Sequence, residues 1–165
     1  LDMGRDPALA AALVEAVRAV TARCLIVKLS PNVTDITAVG RAVEAAGADA
    51  VSAVNTYVGM KVHLPARRPV LSGAGTGGLS GPAIKPLALA AVSQLCAALR
   101  IPVIGVGGIC GTEDALEYLV AGAIAVQVGT WNFVQPHGAV EIIEGITSHL
   151  VESGLSRHTA LRWQR

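Results

Sequence analysis

Residues 102–130 read PVIGVGGICGTEDALEYLVAGAIAVQVGT. Two short apolar runs, PVIGVGG (102–108) and AVQVG (125–129), flank one amphipathic segment. The runs are free of charge and rich in Val and Ile, as strands buried on both faces are. Between them, Thr112 is expected to cap a helix with Glu113 and Asp114 in its first turn, ending near Ala121 and Gly122. A strand, a crossover helix and a second strand make a parallel pair. Both strands end in glycine, at Gly107-Gly108 and at Gly129-Thr130. The fold and the site both follow from this unit.

The same alternation extends toward the N-terminus. Asp6 and Pro7 start a helix expected to reach about residue 22, followed by the strand LIVKL (25–29). SPN breaks that strand, and Thr34 or Asp35 starts a helix that ends at Ala46 and Gly47. AVSAVNT (50–56) is the next strand, and residues 57–80 read as a long irregular stretch. Pro82 opens a helix to about residue 99, and residues 136–153 form the last long helix before a short basic tail with Arg157, Arg162 and Arg165. Strict α-β alternation with four strands means a parallel sheet. Two architectures fit: a doubly wound open sheet, or half of a (β/α)8 barrel.

Composition narrows the class. The chain has 165 residues, 52% hydrophobic and 15% charged, with 18 Gly and only two Trp, two Tyr and one Phe. The net charge of +1 suggests neither a nucleic-acid nor an acidic-membrane partner. Cys24, Cys96 and Cys110 lie far apart without metal-ligand spacing, which reads as a reducing, cytoplasmic protein. The four histidines lack H-x-x-x-H spacing, so no metal site is expected. The opening LDMGRDP has no signal-peptide pattern, and the uncharged run 119–140 is too interrupted by Gly, Gln, Asn, Pro and His for a membrane span.

In either architecture, chemistry collects at the carboxyl ends of the strands. Gly107, Gly108, Gly129 and Thr130 sit at two consecutive ends, where glycine lets an anion approach backbone N–H groups. The plainer alternative is that these glycines only permit tight turns. Lys28, among apolar strand residues, would stabilise negative charge at a barrel mouth, or would simply snorkel to solvent. Asn55 offers a donor and an acceptor to a ligand, or forms a turn. Cys110 follows the diglycine and either lines the site or, more simply, packs or sits there by chance, and Cys24 and Cys96 read as core fillers. No cysteine has a His partner that would make it a nucleophile.

One motif points elsewhere. Gly73, Gly75 and Gly78 spell G-x-G-x-x-G, the dinucleotide fingerprint. That fingerprint needs a preceding strand and an acidic residue closing the next one. Here the lead-in ARRPVL is short and proline-bearing, and the next strand ends in glycines. The motif therefore reads as an accident of register beside GGLSG (77–81).

KLSPNVTDI (28–36), VNT (54–56), GGLSGPAIKP (77–86), IPVIGVGGI (101–109) and AVQVGT (125–130) occur in the order and spacing of the dihydroorotate dehydrogenase family. The chain most resembles the NAD-linked bacterial subclass of class 1, over nearly its whole length. The resemblance implies the C-terminal half of an FMN-binding (β/α)8 (TIM) barrel, with residues 1–165 as one partial domain. It implies oxidation of dihydroorotate to orotate in pyrimidine biosynthesis, with a related flavin-dependent pyrimidine reductase or a non-catalytic phosphate-binding half-barrel as alternatives. Lys28, Val54 and Gly81 would contact FMN, with Lys28 stabilising its reduced form. Gly107, Gly108, Gly129 and Thr130 would hold the FMN phosphate, and Asn55 and Thr56 the pyrimidine. No catalytic residue is expected in this chain, because the family's base is a cysteine in a loop that would precede it. A half-barrel alone is expected to be unstable, to aggregate or to pair, and to lack turnover. The family also implies a homodimer of the full-length subunit and a second subunit carrying FAD and an iron–sulfur cluster.

Overall fold

The computed structural model describes residues 3–161. Five helices are α1 (Pro7–Arg18), α2 (Ile36–Ala45), α3 (Lys85–Ala98), α4 (Thr112–Val120) and α5 (Gly138–Glu152). Eight strands are β1 (Ile26–Leu29), β2 (Ala50–Ala53), β3 (Tyr57–Gly59), β4 (Val62–His63), β5 (Arg68–Pro69), β6 (Gly77–Leu79), β7 (Val103–Val106) and β8 (Ala125–Gln127).

Four strands form one parallel sheet in the order β1-β2-β7-β8, with Lys28 opposite Ser52 and Val106 opposite Gln127. This order decides between the two architectures. A doubly wound sheet reverses its strand order at a switch point, whereas a barrel adds strands in sequence. The main sheet here runs without reversal, and each helix packs against the next, α1 on α2 through α4 on α5. The fold is α/β, an arc of four strands with an outer row of helices: half of a (β/α)8 barrel.

The core lies between sheet and helices. Leu29, Val51, Val103, Val92, Leu95 and Tyr118 belong to one buried cluster, and Val27 and Val126 pack against it. Side chains alternate across a strand, so Ile26 and Lys28, like Ala125 and Gln127, face the other way and are exposed. The sheet's inner face is thus open at both outer strands.

Several expected boundaries shift, each for a local reason. The first helix ends at Arg18 rather than near residue 22. There the Arg18 guanidinium turns back to bond the Gly47 carbonyl at 2.9 Å, the Arg23 carbonyl at 3.0 Å and the Asp49 carboxylate, holding residues 19–23 as a turn. The second strand stops at Ala53, followed by a cis Ala53–Val54 peptide. Residues 57–80 are not irregular: β3 pairs antiparallel with β6, and β4 with β5. Pro82 opens a short 3-10 turn (Pro82–Ile84), and the helix proper begins at Lys85. The fourth strand ends at Gln127 and the last helix begins at Gly138.

Thr112 is not the cap of α4. Gly111 occupies the cap position, and the Thr112 hydroxyl packs against Gly145 of α5. Cys24 is exposed and not a core filler, while Cys96 packs on the core. Arg157 is exposed, and Arg162 and Arg165 lie outside the described residues. No helix among the described residues is long and apolar enough to cross a membrane.

Candidate functional site

A cavity of about 160 Å³ opens at the carboxyl ends of the four parallel strands. Lys28, Val54, Asn55, Thr56, Gly81, Gly107, Gly108, Gly129 and Thr130 all line it. The nine residues expected at the site therefore converge on one cavity from the four strand ends and the loop that carries Gly81. Lys28, Asn55 and Thr56 also line an adjoining hollow of about 390 Å³, reached by Ser30, Asn32 and Tyr57. These three residues form the wall between the two spaces.

The phosphate-type end is built from backbone. Gly107 and Gly108 take φ of 140° and 69°, a region that L side chains avoid. A Cβ on Gly108 would sit 2.8 Å from the Gly81 carbonyl oxygen and 2.8 Å from the Lys85 nitrogen. Two loops therefore meet there backbone to backbone. Gly129 faces open space, with nothing within 4 Å of an added Cβ. Among the described residues, no group accepts from the backbone N–H of Gly108 or Gly129. Free donors, glycine clearance and the nearby N-terminus of α4 suit an anion.

Ser80 and Thr130 join these loops, the Thr130 hydroxyl donating to Ser80 Oγ at 2.8 Å. Sequence reasoning named Gly81 and Thr130 but missed Ser80, Gln127 and Trp131, which also line the cavity. Ser80 is adjacent to the motif glycine, and Gln127 is the one polar side chain in AVQVG, so both carried a signal. Tyr118 was missed as well. Its ring is fully buried against Gly105, and its hydroxyl donates to the Gly107 carbonyl at 2.7 Å.

At the other end, the Asn55 carboxamide oxygen accepts from the Thr56 N–H at 2.9 Å. The turn-forming and ligand-binding readings of Asn55 are thus compatible: its NH₂ group stays available. Asn32 fixes this segment from outside. Its Nδ2 donates to the Thr56 carbonyl at 2.9 Å, and its Oδ1 accepts from the Val58 N–H at 2.9 Å. The Asn32 amide thereby anchors the root of the β3–β6 ribbon to the loop after β1. Lys28 is exposed at the wall, and among the described residues no carboxylate pairs with it. That leaves its charge for a ligand.

The dinucleotide fingerprint has no matching context. Gly78 lies within β6 against the Thr56 side chain, and Gly73 and Gly75 lie in the turn before it. None of the three opens a helix. Cys110 does line the cavity, the site-lining alternative rather than the simpler packing role. Burial, then the Asp114 charge, push its thiol up from the ordinary value, so it is held protonated.

Asp114 is tied to the glycine loop by a hydrogen bond. Its Oδ2 accepts from the Cys110 N–H at 2.8 Å, and its Oδ1 lies 2.7 Å from Lys85 Nζ. Partial burial alone would raise its pKa, but the hydrogen bonds and charge from Lys85 and the Cys110 N–H bring it below 3.8. Lys85 is raised above 10.5, by Asp114 first and Glu117 second. The depressed carboxylate stabilises the fold above pH 3.8 and loses that effect as pH falls through its folded value. The raised ammonium stabilises below pH 10.5 and loses its effect as pH rises through its own. The melting-temperature difference between wild type and Asp114→Asn is therefore expected to be constant at mid-range pH. It should shrink below pH 3.8, as thermal unfolding across pH would show.

The dihydroorotate dehydrogenase family profile matches residues 1–150. The Trichlorobacter lovleyi protein named dihydroorotate dehydrogenase B (NAD(+)), catalytic subunit, is 56% identical over 158 residues, covering 96% of this chain and 52% of that protein. The proteins of the same name from Porphyromonas gingivalis and Desulforamulus reducens are 55% and 53% identical, covering 89% and 92% of this chain. They are covered over 48% and 50% of their own lengths, so the chain spans about half of the curated relatives it matches.

Proposed function

The chain belongs to the dihydroorotate dehydrogenase family, and from that premise we propose that it forms the phosphate-holding half of an FMN site and one wall of a pyrimidine site. The activity it would serve, as part of a full-length enzyme and not alone, is the oxidation of dihydroorotate to orotate in pyrimidine biosynthesis. The observation that supports this reading is the convergence of nine residues from separate strand ends and loops on one cavity. When bound, the flavin supplies the hydride acceptor.

In this reading, Gly107, Gly108, Gly129 and Thr130 receive the phosphate through backbone N–H groups and a hydroxyl. The donor set fits a phosphate: two amides are free and the glycines leave room. Val54 and Gly81, which line the same cavity, would lie against the ring system. Lys28 places an ammonium group at the wall and favours negative charge developing beside it. Asn55 and Thr56 orient the pyrimidine from the same wall. No residue of this chain is assigned as general base, since Cys110 is the one cysteine at the cavity and its environment holds the proton. The reading includes a cytoplasmic location, a homodimer of the full-length subunit and a separate FAD and iron–sulfur subunit. The relatives' name, "catalytic subunit", accords with such a partner.

Flavin titration of the purified chain tests this, read by fluorescence quenching. FMN should bind saturably and at least about tenfold tighter than riboflavin, which lacks the phosphate; that ratio corresponds to about 1.4 kcal/mol. Equal affinities, or no FMN binding, would refute the phosphate assignment. Adding dihydroorotate without air should leave the flavin's visible absorption unchanged; bleaching would reveal a base within this chain.

A further inference from the structure

We propose that the Lys85–Asp114 ion pair is a positioning brace for the phosphate loop, and that Lys85 is not itself a phosphate ligand. The proposal rests on the FMN reading above. Lys85 begins α3 directly behind the loop, and a lysine beside a phosphate site invites assignment as a ligand. Its bonding says otherwise. Nζ lies 2.7 Å from Asp114 Oδ1 and 2.6 Å from Glu117 Oε1, both on α4. Two carboxylates against one ammonium leave the cluster with a formal negative charge, which repels a phosphate.

The same cluster reaches the loop from two sides. Asp114 Oδ2 takes the Cys110 N–H at 2.8 Å. The Lys85 nitrogen and Cβ pack against Gly108, where a Cβ would sit 2.8 Å and 2.7 Å away. Residues 107 and 108 hold positive φ, and Gly108 lies beyond the strand ladder, so its orientation depends on outside contacts. Asp114 also selects among the loop's donors: the Cys110 N–H is used internally, while the Gly108 N–H is left free.

The brace and the ligand role predict opposite signs for one variant. A brace makes both Lys85→Met and Asp114→Ala weaken FMN binding, by about tenfold, with riboflavin affinity changed less than about twofold and Lys85→Arg recovering most of the loss. A ligand role makes Asp114→Ala strengthen FMN binding, because it removes one of the two carboxylates that compete for the ammonium and leaves Glu117 alone; that result overturns the proposal. So does an equal loss of FMN and riboflavin affinity, which marks a general structural effect. Hydrogen exchange by mass spectrometry supplies a readout without ligand. In the free chain, Asp114→Ala should speed exchange across residues 107–111 and leave residues 39–43 unchanged. If wild type fails to prefer FMN over riboflavin, the FMN reading falls, and exchange alone judges the brace. Unchanged exchange across 107–111 then refutes it.

Discussion

Gly108→Ala is expected to cost about 2–5 kcal/mol of stability and to abolish measurable FMN binding. Two effects add. The residue holds φ of 69°, where an L side chain is strained by roughly 1–2 kcal/mol. Its methyl would also meet the Gly81 carbonyl, the Lys85 nitrogen and the Lys85 Cβ within 2.8 Å. Overpacking of this kind costs typically about 1–3 kcal/mol, and here two of the three neighbours are backbone atoms that cannot rotate away. The loop must move off α3, which takes the free Gly108 N–H with it. Gly111→Ala is the internal control. Gly111 has φ of −165°, ordinary extended backbone, and no atom lies within 4 Å of an added Cβ. Its stability should stay within about 0.5 kcal/mol of wild type. Chemical denaturation of both variants, with flavin titration, checks the contrast.

Tyr118→Ala should be as damaging, from the core side. Tyr118 is the largest fully buried side chain among the described residues, and its ring occupies space that Gly105 leaves by having no Cβ. Truncating a buried aromatic typically costs about 3–5 kcal/mol, through lost burial and the cavity left behind. Tyr118→Phe separates packing from polarity. It keeps the ring and removes only the bond to the Gly107 carbonyl at 2.7 Å. That change should cost about 0.5–1.5 kcal/mol. Because the bond ends on Gly107, Tyr118→Phe should also lower FMN affinity more than a core change distant from the site. Val92, equally buried on α3, provides the comparison through Val92→Ala.

The parts of this molecule legible in sequence were those governed by local chemistry. Short apolar runs, charge-free except for Lys28, placed the four sheet strands, and Asp6 and Asp35 marked helix starts that their carboxylates do cap. Strand-end glycines and Lys28 located the cavity because chain order alone brings strand ends together in a barrel. What escaped depends on distant partners. The end of α1 is set by Arg18 bonding to Gly47 and Asp49. Thr112 looks like a cap but turns to α5, and Asp114 bonds the Cys110 N–H instead. The ribbons within residues 57–80 are two or three residues long per strand, too short for an alternating pattern to show. Tyr118 gave no sign of reaching the glycine loop, since its role depends on the clearance at Gly105 across the α4–sheet interface.

The G-x-G-x-x-G register at Gly73, Gly75 and Gly78 illustrates the same division. As a string it fits a dinucleotide site. As structure it is a turn and a ribbon strand, preceded only by the two-residue ribbon strand β5 and with no helix opening from it. The chemistry lies a few residues on, where Ser80 bonds Thr130 and Gly81 approaches Gly108.

A crystal structure of the chain grown with FMN tests the central claim most directly. The account predicts the phosphate within hydrogen-bond distance of the Gly108 and Gly129 N–H groups and the Thr130 hydroxyl, with the ring system beside Lys28 and Val54. A phosphate seated instead on the turn at Gly73 and Gly75, or held by Lys85 Nζ, would contradict it.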